Sequence, residues 1–273
     1  MTSAFDATAS SFERYRALPS NAPDAIRSAI WAATTLPSSA RVLDLGAGTG
    51  RIGKAFVAAG DFYVGVDASL AMLREFSANS KSCFLTQADG RQLPFRDGAF
   101  DIVLLMQVLS GVGEWQAVLN ETRRVLRPGG SVAVGHAISP ESGIDAQLKR
   151  RLRTILEQMG VAWHRPQESR QQALAWLHSS AARHVHSQAA SWNINTTVAE
   201  FLLRHRSAAR FAALPITVQE QALEKLRAWA ETAFGPIDAG FQERRSFELD
   251  IFEFREELDR DSQESFDEKH HGR

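Results

Sequence analysis

The chain has 273 residues, 44% hydrophobic and 23% charged, with a formal net charge of −1. That is enough material for one large α/β domain with an inserted cap, and the composition excludes global disorder. Near-neutrality removes the overall basic field that a nucleic-acid partner would call for, leaving the short run Lys149-Arg150-Arg151 with Arg153, read as the solvated face of a helix. Cys83 is the single cysteine, so no internal disulfide forms, and it is expected to be a small buried side chain. No apolar run is long enough to span a bilayer, and the N-terminal residues show no basic region followed by an apolar stretch, so no signal peptide and a cytoplasmic location are expected.

In chain order, the first ~38 residues read as helical, with Asp24 as the cap of a helix through Ile26, Ala29 and Ile30. From Arg41 the texture alternates. Strands are expected at 41–45, 62–67, 83–87, 101–106 and 131–136. Between them lie helices over 51–59, stopped by Gly60, from a Ser69 cap through Leu70, Leu73 and Phe76, and over 115–126, stopped by Pro128-Gly129-Gly130. Strands alternating with helices at this spacing give βαβ units and a parallel sheet covered on both faces. After His136 the alternation ends. Residues 144–212 show no convincing strand and read as a helical insertion, with Leu148, Leu152, Ile155 and Met159 on one helical face. Capping boxes are read at Thr197-x-x-Glu200 and Thr217-x-x-Glu220. Phe247, Leu249 and Ile251 alternate with Glu248, Asp250 and Glu253 as a strand with one polar side. Residues 256–273 are a polar tail.

The chemistry centres on Asp44-Leu45-Gly46-Ala47-Gly48-Thr49-Gly50. Glycines allow a sharp strand-to-helix turn and close backbone approach to a ligand, and the helix that follows offers free N–H groups. Taken alone, Gly48-x-Gly50-x-x-Gly53 also satisfies the dinucleotide fingerprint, with Asp67 where a ribose-binding acid belongs, so an NAD-dependent oxidoreductase fits the glycines equally well. Three features weigh against a dinucleotide. Asp44, just before the turn, suits an ammonium and would repel a pyrophosphate. Asp89 in Ala88-Asp89-Gly90 brings another carboxylate to the same sheet edge, where it suits an adenine amine. The closing amphipathic strands break the βα alternation.

These segments resemble the class I S-adenosylmethionine (SAM)-dependent methyltransferases. The matching text is Val42 to Gly50, Val64-Gly65-Val66-Asp67, Gln87 to Gly90 with Leu93-Pro94-Phe95, Phe100 to Val103, and Leu126 to Gly130, in the family's order and spacing. The resemblance covers about residues 38–136. It implies a Rossmann-like, mostly parallel seven-stranded sheet with helices on both faces and an antiparallel C-terminal strand. The implied organisation is lid helices at 1–37, a SAM-binding core at 38–143 and 213–255, and a helical acceptor cap at 144–212. Asp44, Gly46 and Gly48 would line the methionine and ribose of SAM. Asp67, with Ala68 beside it, would take the ribose hydroxyls, and Asp89 with Gly90 the adenine. Met106 and Gln107 would contact the cofactor from the side, and Tyr15 in the segment Phe5-Asp6…Ala9…Phe12…Tyr15 would close over it. The expected partner is a small-molecule acceptor, with S-adenosylhomocysteine (SAH) as product, acting as monomer or homodimer, with no membrane, nucleic-acid or metal partner.

His136, at the end of the fifth strand, is the candidate general base. His184-x-His186 lacks a carboxylate cluster in sequence and reads as solvated or packing, as do Trp163, Trp176 and Trp192, whose number also fits an apolar lid. An RNA or protein methyltransferase with the same core, or a non-catalytic SAM-binding protein, would share these motifs.

Overall fold

A computed structural model describes residues 16, 18–37, 39–80, 82–110, 112, 114–161, 166–206 and 208–255. Tyr15 and its segment, Trp163, His164 and the 256–273 tail lie outside the described residues.

The elements are α1 (Ala22–Ala33), β1 (Arg41–Leu45), α2 (Gly53–Ala59), β2 (Phe62–Asp67), α3 (Leu70–Ala78), β3 (Phe84–Gln87), β4 (Phe100–Met106), α4 (Trp115–Val125) and β5 (Leu126–Ile138). They continue as α5 (Ile144–Gln158), α6 (Pro166–Ser180), β6 (Arg183–Thr196), α7 (Val198–Arg206), α8 (Ala209–Ala212), α9 (Ile216–Phe234) and β7 (Phe241–Glu253). Local chemistry explains the boundaries. Gly60 closes α2 in the left-handed conformation, and Ser69 Oγ accepts the Met72 N–H at 3.2 Å to start α3. At α7 the Thr197–Glu200 capping box forms in both directions, at 3.1 Å each.

The seven strands lie in the order β3-β2-β1-β4-β5-β7-β6. β1 to β5 pair in parallel, while β7 is antiparallel to both β5 and β6. β4 is buried along its whole length, as its apolar run requires. One face of the sheet packs under α1, α2 and α3 through Ile26, Ile30, Phe56, Phe76, Ile102 and Leu249. The other packs under α4 and α6 through Val103, Leu105, Leu119, Val134, Ala173 and Phe252.

Four local expectations are corrected. Asp24 does not cap α1: Asn21 stands at the N-cap, and Asp24 sits in the first turn, where the helix dipole still favours it. Thr217 is inside α9, which starts one residue earlier after Pro215, so that capping box does not form. Cys83 precedes β3 and is only half-buried. The largest correction concerns 144–212. Residues 183–196 form a 14-residue strand, paired along its length with β7. α6 covers the main sheet, whereas α5, α7, α8 and α9 share a separate apolar core built on Leu152, Ile155, Phe201, Phe211, Leu223 and Leu226. The helical body therefore takes in α9, which the sequence had assigned to the main core, and gives up 183–196 to the sheet.

Candidate cofactor site

The glycine turn leaves the carboxyl end of β1, where open parallel sheets bind ligands. Gly46, Gly48 and Gly50 all have positive φ, of 82°, 56° and 77°. At Gly46 a side chain is excluded twice over, because a Cβ would lie 2.5 Å from Val108 Cγ2. At Gly48 a Cβ would meet only the Gly46 carbonyl oxygen, 4.0 Å away, so this part of the turn faces free space.

Asp67 ends β2 and braces the turn. Its Oδ2 accepts the Gly48 N–H at 2.9 Å and its Oδ1 the Ser69 N–H at 2.8 Å. A carboxylate has about four acceptor positions, so ribose hydroxyls can share it. The neighbouring Ala68 carbonyl accepts from Gln87 Nε2 at 3.0 Å.

Asp44 is 2% exposed. Tyr63 OH donates to its Oδ2 at 2.7 Å, while Oδ1 is buried with no partner. Burial pushes this carboxyl up to about 7, against the lowering effect of the Tyr63 bond. One strand away, Gln107 leaves β4 with φ 62°, the one positive value at a non-glycine among the described residues, and its Nε2 is also buried without a partner. Its backbone is held by the Gln107 N–H to Gly135 carbonyl bond of 2.7 Å. A strained residue and two orphaned polar atoms at adjacent strand ends are what a site built for an absent polar ligand shows. An acceptor at Asp44 and a donor at Gln107 fit the ammonium and carboxylate of an amino-acid moiety such as that of SAM.

The other expected residues fall differently. Asp89 is gripped by Arg91, whose Nε lies 3.0 and 3.1 Å from its two oxygens, and Arg91 also pairs with Glu114. This lowers the Asp89 pKa, and an adenine amine would share the carboxylate with Arg91. A Cβ at Gly90 would meet Leu45 at 3.4 Å, an ordinary contact, so packing alone does not demand glycine there. Met106 is packed into the sheet core with Phe247, its Sδ close above Gly135.

His136, the candidate general base, stands against Arg170. Arg170 Nη2 lies 2.9 Å from its Nδ1, and since a guanidinium only donates, Nδ1 accepts. Burial, then the Arg170 charge, push the ring down to about 4. The ring belongs to a network that also holds Asp250. Arg170 Nη2 is 3.2 Å from Asp250 Oδ2, while His184 Nε2 and His186 Nδ1 are 3.1 and 2.9 Å from Asp250 Oδ1. The pair His184-x-His186 thus packs β6 onto β7 through a carboxylate that sequence spacing could not reveal.

A mixed sheet in the order 3-2-1-4-5-7-6, carrying a glycine turn braced by a carboxylate, defines a Rossmann-like α/β fold. Known proteins narrow this further. Residues 43–134 match the model of a methyltransferase domain. A demethylmenaquinone methyltransferase from Streptomyces griseus is 36% identical over 108 residues, covering 40% of this chain and 47% of that protein. The chain therefore spans about half the length of the curated relatives it matches. Among solved structures, YcgJ of Bacillus subtilis superposes with a TM-score of 0.53 at 18% identity, covering 85% of this chain and 98% of the other. A SAM-dependent methyltransferase of Thermotoga maritima gives 0.50 at 17%, covering 92% and 99%. Residues 43–134 are thus similar to a methyltransferase domain, and the chain as a whole shares the fold of these solved structures.

Proposed function

We propose that the chain transfers a methyl group from SAM to a small-molecule acceptor by in-line displacement, releasing SAH. The observation that carries this reading is the Asp67 brace across the glycine turn, set beside an Asp44 oxygen that is buried and unsatisfied. In this reading Asp44 and Gln107 hold the methionine end, Gly46 and Gly48 let the backbone approach, and Asp67 with Ala68 takes the ribose. Asp89 and Gly90 flank the adenine. SAM supplies an activated methyl on a sulfonium, so the protein's task is to orient the two reactants and keep water out. With His136 engaged by Arg170, no dedicated base is assigned.

The similarity to a demethylmenaquinone methyltransferase covers 40% of the chain, so it supports a small-molecule acceptor without naming which one. The helical body of α5, α7, α8 and α9 is the proposed acceptor cap, and residues 1–37 the proposed lid. Calorimetry tests the cofactor: SAH binds and NAD does not, and Asp67→Ala weakens SAH at least tenfold, since it removes two hydrogen bonds to a charged acceptor worth about 1.5–3 kcal/mol each. Preferential NAD binding would sink the reading. Tritiated SAM offered with metabolite, protein and RNA fractions then finds the acceptor, and label confined to RNA or protein overturns the small-molecule assignment.

A further inference from the structure

Beyond the end of β5, the chain assembles a cationic group that the cofactor does not use. Asp145, at the start of α5 and buried, receives Lys149 Nζ at 2.8 Å, Arg245 Nη2 at 3.1 Å and the Arg204 guanidinium. Its backbone N–H donates to Glu243 Oε1 at 3.0 Å. Next to this cluster is a cavity of about 230 Å³ lined by Ile138, Pro140, Gln188, Arg244, Arg245 and Ser246. Arg244 is exposed and donates to Ser191 Oγ at 3.1 Å. Lys149, Arg204 and Arg245 thus surround Asp145, with Glu243 beside them, while Arg244 is bonded to Ser191 and lines the cavity together with Arg245. The charged groups that line the cavity are the two guanidinium groups of Arg244 and Arg245. Arg245 Nε is buried with no partner, and burial pulls its guanidinium below the ordinary range more than Asp145 restores it.

The position is informative. The cavity opens at the carboxyl end of β5, the same sheet edge as the glycine turn, two strands from β1 in the order β1-β4-β5. Arg16 links the two regions: its carbonyl accepts from Arg51 Nη1, in the glycine turn, at 2.5 Å, and its charge lies near that of Arg204.

We propose that this cavity binds the anionic group of a small organic acceptor, a carboxylate or phosphate, with Arg244 and Arg245 as its ligands and Ser246 and Gln188 as neutral hydrogen-bonding groups. Forked guanidinium donors suit both anions. Ile138 and Pro140 provide the apolar wall for the carbon skeleton. This deepens the methyl-transfer reading and rests on it for calling the bound anion the acceptor.

The test is calorimetry on the intact chain at low salt, using benzoate, phenyl phosphate and the neutral phenol as probes, each with and without SAH. One or both anions bind, phenol binds at least tenfold more weakly, Arg244→Gln weakens the anion roughly tenfold and Arg244→Glu abolishes it, while SAH affinity stays unchanged. Arg244 is exposed, so these variants fold even if Arg245→Gln, which strips a partner from Asp145, does not. Equal binding of phenol and the anions, no binding of either anion, or an Arg244→Glu chain that still binds them overturns the proposal. A chain that binds the anions yet ignores SAH overturns methyl transfer and leaves the anion site standing.

Discussion

At the scale of single residues, steric and electrostatic demands in the glycine turn separate cleanly. Gly46 and Gly60 have the same φ of 82°, yet a Cβ at Gly60 meets nothing within 4 Å, whereas one at Gly46 lands on Val108. Gly60→Ala should cost only the left-handed backbone, about 1–2 kcal/mol. Gly46→Ala adds overpacking of about 1–3 kcal/mol. Urea denaturation of both variants measures the difference, and equal costs would refute the clash.

Asp44 gives a prediction in pH. Its folded pKa, about 7, lies above its ordinary 3.8, so the native state holds the proton more tightly than the unfolded chain does. The stability this contributes is complete below the ordinary value and is lost as pH rises through about 7. An ammonium ligand has the opposite preference and needs the carboxylate. SAH affinity should therefore climb up to about pH 7 and then level off, and Asp44→Asn should bind weakly with that climb abolished. A pH-independent affinity in the native protein would remove Asp44 from the methionine site. The glycine turn, Asp44 and Asp67 were legible in sequence because they fall within nine residues of a strand end or on the next strand. The cationic cavity was not, because Asp145, Arg204 and Arg245 meet from three distant elements.

At the scale of elements, β6 explains what the sequence concealed. An edge strand has one hydrogen-bonded neighbour, and over 183–196 only Thr196 is fully buried, with Gln188, Ser191, Asn193 and Asn195 exposed and Ser187, Trp192 and Ile194 half-buried. The apolar period of two is confined to Trp192 and Ile194, is diluted by Ser187 and Ala190 and is broken by a register shift between Gln188 and Ala190, so the strand pattern is weak and β7 imposes the pairing. β1, β2 and β4, buried on both faces, announce themselves as apolar runs. Asp250 supplies much of what pins this edge, holding α6 through Arg170 and β6 through two histidines. Asp250→Asn should destabilise by about 1–3 kcal/mol, as the loss of charged hydrogen bonds dictates, and a value near zero would show the network to be incidental. The same network predicts acid sensitivity. His136 has a folded pKa of about 4 against 6.5 unfolded, so acid protonates the unfolded chain first, and stability present above pH 6.5 drains away towards pH 4. His205, pushed down by burial, acts in the same direction. His136→Gln should flatten that fall in part, measured by denaturant midpoints from pH 7.5 to 4.5.

At the scale of the whole molecule, the two halves of the chain obey different logics. The first half alternates strand and helix, and each connection places another carboxyl strand end at one edge, so order along the sequence becomes order across the site. The second half folds back through β6 and β7 and raises a separate helical core over that edge, a placement that no local pattern encodes. Asp44, Asp67 and Gln107 lie on β1, β2 and just past β4, three neighbouring strands in the centre of the sheet. A ligand that bridges them ties together strands whose separation requires global unfolding, so its binding energy appears as global stability. At a hundredfold excess over its Kd, a ligand confined to the native state adds about 2.7 kcal/mol. For a chain of this size that corresponds to a rise in Tm of about 5–10 °C. SAH should produce that rise in a thermal scan and NAD should not. Asp67→Ala should lose most of it at the same SAH concentration, whereas Arg244→Glu should keep it in full, because the cationic cavity lies beyond β5 and outside the three strands that the cofactor would join. A shift abolished in Arg244→Glu would mean that the two sites are one.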